Sequence, residues 1–297
     1  MIEVDNPILH TRVFSDGPNG GNPCPVVLDA DNLSAAEGMA LAEKFGAETI
    51  LVVKSSNADA DFGLRYFVPR HEMEMCVHGT IAAVTVLWKN GSVDQSNLAI
   101  ATALGNIEVV CEEVDGELRV TVFQFPAQFA QHSPTIDEIC SALRIPTSNI
   151  ALNEGPIISV STSRHKLIVP IISSCVLSQL EPNFEELWDV CDRYETSGFY
   201  PFAPENCGKS GFYSARQFPR RAGYNEDPAT GVAACALGAY LAKYHSQANG
   251  LQEFEILQGY AMGRPSRLTV GIFTEHGVII KSYVSGLAIL DEASSRL

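Results

Sequence analysis

The run Val232–Ala242 reads Val-Ala-Ala-Cys-Ala-Leu-Gly-Ala-Tyr-Leu-Ala and offers no polar face. A helix apolar all round has to be enclosed by protein or lipid. Crossing a bilayer takes about 20 residues, so this run is too short for lipid. The chain must therefore wrap the segment in a core of its own. The lead-in is Asn225-Glu226-Asp227-Pro228-Ala229-Thr230-Gly231-Val232. Asp227-Pro228 predicts an N-cap followed by proline at the first helical position. The N-terminus of this buried helix is then aimed at something.

A second stretch follows the same pattern. Met75-Cys76-Val77-His78-Gly79-Thr80 leads into Ile81–Trp88, apolar on nearly every side. Strand-like sequence precedes both runs and ends in Phe67-Val68-Pro69-Arg70 and Phe218-Pro219-Arg220. Two such units half a chain apart suggest an internal duplication with one central helix per half. Strand-rich halves around buried helices do not suit a doubly wound parallel sheet. They suit an α+β fold of two pseudo-symmetric domains, each a curved, barrel-like sheet around its helix. Residues 1–125 form the first domain, completed by a strand from about 284–297. Residues 126–283 form the second, after a linker near Pro126–Pro134.

Local signals fill in this plan. Strands are expected at 8–14 and 26–28, with a turn-rich loop over 15–25 between them. Ser34 with Glu37, Thr135 with Glu138 and Asn183 with Glu186 read as capping boxes, and Gly46 ends the first of these helices. Gly105-Asn106 and Asp115-Gly116 read as hairpin turns. The first central helix runs from about His78 to Asn90.

Bulk properties exclude some functions. The net charge of −15 argues against a nucleic-acid partner, because phosphate binding needs clustered Lys and Arg. A small anion is still possible, since local backbone dipoles can override global charge. No segment reaches membrane length, and Met1–Asp5 lacks the features of a secretion signal. The eight cysteines stand singly, with no Cys-x-x-Cys pair, as expected of reduced thiols in a cytoplasmic protein.

Several constellations could carry chemistry. Ala203–Ser210 matches a relaxed phosphate-loop pattern, but strand-like sequence follows where that motif needs a helix. His71, Cys76 and His78 lie close together, yet no second pair sits at ligand spacing, so no metal is expected. Cys76 and His78 at a helix mouth make better sense as acid/base groups, because a positive helix end lowers a thiol's pKa. Cys76 reads equally well as packing. Asp227 is explained by capping alone, though Glu226 beside it weakens that explanation. Glu48 is the hardest to dismiss: a lone carboxylate where a helix hands over to a buried strand is disfavoured by both propensity and burial.

These residues resemble the phenazine biosynthesis isomerase-like (PhzF-like) family, within the diaminopimelate epimerase fold superfamily. The marks are Gly21-Asn22-Pro23, Glu48-Thr49, Glu74–Thr80, Glu226-Asp227-Pro228-Ala229-Thr230-Gly231 and Gln258–Pro265. The resemblance implies a cofactor-independent, homodimeric isomerase with its site in an interdomain cleft. Glu48 matches the family's proton-carrying glutamate, and His78 and Asp227 match its polar supports. Cys76 matches the first of the paired cysteines of related epimerases. Asn22, Gly79, Thr80, Gly231 and Val232 would bind substrate, with helix N–H groups receiving an acid group. Val232 departs from the family's serine, and Val77 and Gly79 from its usual residues, which argues against the phenazine precursor as substrate. Two alternatives stay open: a racemase or epimerase using Cys76 with a carboxylate, and a non-catalytic small-molecule binder.

Overall fold

A computed structural model describes residues 4–205, 210–246 and 248–291. Residues 206–209, which include Cys207 and the centre of the phosphate-loop-like stretch, lie outside the described residues. The chain divides into two compact units: one runs to Phe123 and resumes at Ser285, and the other is Gln124–Val284.

The first unit contains β1 (Ile8–Val13), β2 (Asn22–Val27), α1 (Ala35–Phe45), β3 (Thr49–Val53), β4 (Phe62–Val68) and β5 (His71–Met73). It continues with α2 (Val77–Lys89), β6 (Asn97–Thr102), β7 (Gly105–Val114) and β8 (Glu117–Phe123). Neighbouring strands pair in the order β1, β2, β3, β4, β6, β7, β8. The last strand of the chain (Val278–Leu290) pairs with β8 and with β1, placing Thr11 opposite Leu290, so the ring closes. α2 packs against β1, β2, β3 and β8 inside it. Every residue of α2 from Val77 to Leu87 is buried, as its lack of a polar face demands.

The second unit contains β9 (Gln128–Phe129), α3 (Ile136–Leu143), β10 (Ile158–Ser161), β11 (Lys166–Pro170), α4 (Ser174–Ser178) and α5 (Phe184–Arg193). Then come β12 (Gly198–Pro204), β13 (Phe212–Ala215), β14 (Phe218–Pro219), α6 (Gly231–Tyr244), β15 (Gly250–Gln258), β16 (Ser266–Glu275) and β17 (Val278–Leu290). α6 is buried from Gly231 to Ala242 and packs against β10, β11, β15 and β16. The amphipathic helices α3 and α5 pack together outside, over Leu167, Val169 and Phe199. The fold is α+β, with a central helix in each unit. Among the described residues, no helix is long and apolar enough to cross a membrane.

Two capping boxes form as their sequences predict, at Ser34/Glu37 and Thr135/Glu138, and Gly46 closes α1 in the left-handed region at φ 61°. Four local expectations need correction. The loop predicted over 15–25 gives way to strand at Asn22. Pro23 and Pro25 fall at alternate positions, so the donors they lack lie on one side while β1 pairs with the other. The first hairpin turns at Ala103-Leu104 rather than Gly105-Asn106, because Gly105 already pairs with Thr102. Asn183 does not cap α5 through its oxygen; its amide instead donates to Glu186 Oε1 at 2.7 Å. Finally, α6 starts at Gly231 with Thr230 as its N-cap, not at Asp227-Pro228.

Candidate active site

Glu48 lies between α1 and β3, where Gly46 has turned the chain out of the helix. The carboxylate is 9% exposed. Cys76 is the N-cap of α2, and its sulfur accepts the Gly79 N–H at 3.3 Å. Its S–H donates to Glu48 Oε2 at 3.0 Å. His78, in the first turn of α2, places Nδ1 3.3 Å from the Cys76 sulfur and Nε2 3.4 Å from Glu48 Oε2. The first unit thus brings three sequence-predicted residues into one buried cluster, and their donor atoms all lie within 4.8 Å of one another.

The cluster is braced from behind. Thr80 Oγ1 donates to the Cys76 carbonyl at 2.8 Å and sits 2.9 Å from the Tyr66 hydroxyl. A Cβ on Gly79 would come within 2.3 Å of Ile50 Cδ1, so any larger residue there requires Ile50 to shift. Asn22 is buried at the start of β2.

The electrostatics overturn one expectation. Burial first, and then the charge of Glu48, push the Cys76 thiol well above its ordinary pKa. The N–H of Gly79 acts the other way, as a helix end should, and is outweighed. Cys76 is therefore a thiol that donates a hydrogen bond, not a thiolate.

In the second unit, Asp227 is 5% exposed and joins β-bridge fashion to Gln217, donating its N–H to the Gln217 carbonyl at 3.1 Å. The Thr230 hydroxyl donates to Asp227 Oδ2 and does not cap α6. Gln258, at the end of β15, grips the same loop: Nε2 donates to the Asp227 carbonyl at 2.7 Å, and Oε1 accepts the Thr230 N–H at 3.2 Å. The Tyr200 hydroxyl donates to that same Oε1 at 2.9 Å. Burial, and then the Asp227 charge, push the Tyr200 phenol far up, so it stays a donor. These contacts explain the late start of α6: a distant glutamine holds residues 227–230 outside the helix, which the local Asp-Pro signal could not foresee.

Gly231 and Val232 open α6, with Val232 buried. Glu226 turns away to a bidentate pair with Arg216, at 2.8 and 2.7 Å, and Arg216 also donates to the carbonyls of Leu177 and Leu180. It is a structural anchor, so its nearness to Asp227 in sequence says nothing about chemistry. Thr230, Gln258, Tyr200 and Tyr66 went unrecognised as site residues. Of these, Thr230 and Gln258 stand inside motifs that gave them no role of their own, and Tyr200 and Tyr66 carry no sequence signal.

A family model, described as phenazine biosynthesis-like protein, matches residues 11–293. The chain belongs to that family. An uncharacterized isomerase of Bacillus subtilis, YfhB, is 30% identical over 288 residues, 96% of each chain. The trans-2,3-dihydro-3-hydroxyanthranilate isomerase of Pseudomonas aeruginosa is 29% identical over 260 residues, 86% of each. The crystal structure of a Bacillus anthracis phenazine biosynthesis protein of the PhzF family superposes with a TM-score of 0.86, at 28% identity and 96% coverage of each chain. The PhzF-like chain is thus an isomerase by family, on the fold that its motifs foretold.

Proposed function

We propose that this PhzF-like protein moves a proton between carbons of a small, carboxylate-bearing metabolite without a cofactor. Glu48 carries the proton. One observation supports this best: a carboxylate buried to 9% exposure, with a thiol donor at 3.0 Å and an imidazole nitrogen at 3.4 Å. A carboxylate in such surroundings can accept a proton from carbon and return it elsewhere, because burial disfavours its charge while the thiol and imidazole beside it can share the proton's hydrogen bonds. His78 then steadies the charge as it comes and goes.

In this reading the two clusters face one substrate across an interdomain cleft. Thr230 leaves the first turn of α6 without a side-chain cap, so the N–H groups of Gly231 and Val232 are available to a substrate carboxylate. Asp227, fixed by Thr230 and Gln258, would hold a substrate amine or hydroxyl. The relative from Pseudomonas aeruginosa is named for a dihydro-hydroxyanthranilate. A related cyclic amino acid suits this site, with Val232 adding an apolar wall. A homodimer in the cytoplasm completes the proposal; sedimentation would check the assembly. In the racemase alternative the protonated Cys76 thiol would serve as the acid, with a carboxylate as the base.

Proton exchange in deuterated water tests the reading. Candidate cyclohexadiene amino acids should incorporate deuterium with the wild-type protein and not with Glu48→Gln. Exchange that survives Glu48→Gln would sink the proposal.

A further inference from the structure

The second unit carries a cavity of about 640 Å³ that holds none of the candidate active-site residues. Three segments enclose it: β9, the last turn of α6 with the loop after it, and the turn between β16 and β17. Such a volume suits a small organic molecule. His276-Gly277 makes that turn with φ of 50° and 76°, the paired left-handed values of a tight hairpin, and so sets His276 on the cavity wall.

The lining is cationic in an acidic protein. The chain has 35 Asp and Glu against 20 Lys and Arg, yet no Asp or Glu among the described residues lines this cavity. Lys243 does. Its ammonium lies 3.8 Å from the centre of the Phe129 ring and 5.6 Å from that of Tyr244, and among the described residues it pairs with no carboxylate. A base in the last turn of α6 already complements the helix end. That role leaves its N–H donors unused, since the Leu241 carbonyl there accepts the N–H groups of His245 and Ser246. Asn249 and His276 bring further N–H donors to the same cavity. Thr274 lines it too; the residue is 4% exposed, and its hydroxyl has no hydrogen-bond partner among the described residues. A buried hydroxyl without a partner calls for an explanation, and a bound ligand provides one.

We propose that this cavity is a second binding site, for a small organic monocarboxylate with an apolar, ring-sized body. The carboxylate pairs with Lys243 and takes hydrogen bonds from the Asn249 and His276 side chains. The body lies against Phe129 and Val278, the latter 62% exposed while the cavity stands open. One fixed cation matches one negative charge, which favours a carboxylate over a phosphate dianion. The site lies wholly within residues 124–284 and does not depend on Glu48 as the proton carrier.

Fluorescence titration of the full-length protein with 2-naphthoate tests this. Wild type should bind the probe, more weakly as salt rises. The neutral 2-naphthamide should bind roughly tenfold less well. Lys243→Met keeps the apolar stem and loses the charge, and Val278→Glu sets a carboxylate against the anion. Each should weaken 2-naphthoate binding by roughly tenfold with the melting temperature held, because both side chains are exposed. Glu48→Gln should bind the probe as wild type does. Binding that survives both cavity variants, or that is lost in Glu48→Gln alone, places the probe elsewhere and overturns the proposal. Equal affinity for the amide, or no binding by wild type, overturns it as well. Each of these results leaves the Glu48 exchange test untouched, so the two readings fail separately.

Discussion

The Cys76 thiol donates to the Glu48 carboxylate across 3.0 Å while its sulfur accepts an N–H from the first turn of α2. Cys76 thereby links a helix end to the proposed proton carrier without being a base itself. A serine hydroxyl can make both contacts. Cys76→Ser should keep proton exchange within about tenfold of wild type, whereas Glu48→Gln should cost roughly 10²–10⁴-fold. Equal losses in the two variants would restore the two-base alternative.

Buried thiols should make the fold sensitive to alkali. Burial pushes Cys235 up to about 11 and Cys191 up to about 12. Raised folded-state pKa values mean that the native chain holds protons which the unfolded chain releases. Their stabilising contribution is complete below the unfolded thiol pKa, near 8.5, and fades as pH rises through 11–12. Fully buried Cys235 should account for roughly 2–3 kcal/mol of that loss. Melting temperature recorded from pH 8 to 11 should fall more steeply for wild type than for Cys235→Ala; parallel curves would contradict this.

Gln258 carries more than its neighbours suggest. Gln258→Ala takes a hydrogen-bond partner from the Asp227 carbonyl, the Thr230 N–H and the Tyr200 hydroxyl together. Each buried polar group left unpaired costs about 1–3 kcal/mol. Urea denaturation should register a loss of at least about 3 kcal/mol, with substrate affinity falling as residues 227–230 loosen. A neutral substitution would show that the clamp is dispensable.

Gly79 and Ile50 should behave as a coupled pair. Gly79→Ala brings a Cβ within 2.3 Å of Ile50 Cδ1 and should destabilise by about 1–3 kcal/mol. Ile50→Val removes Cδ1, the nearer of the two Ile50 atoms in the way. The double variant should recover part of the loss, which a double-mutant cycle in denaturant measures. Strict additivity would place the strain elsewhere.

Much of this was legible in the sequence because the signals were local. The enclosed helices α2 and α6 follow from their uniform apolarity, and the Ser34/Glu37 and Thr135/Glu138 boxes from reciprocal donors and acceptors three residues apart. The Asp115-Gly116 turn follows from two residues that accept positive φ. What failed depended on distant partners. Asp227 reads as a cap until Gln258, 31 residues on, is seen to hold the loop. Cys76 reads as an activated thiol until its burial and the Glu48 charge are weighed against the helix end.

The closing strand also sets a constraint in time. β1 leaves the ribosome long before the segment near Leu290 that covers one of its flanks. During synthesis that unit must wait, its barrel a stave short and its edge bare, until the segment near Leu290 has emerged. For this protein the usual order of translation, first domain finished first, cannot hold. Chaperones would meet it as a gap between β8 and β1.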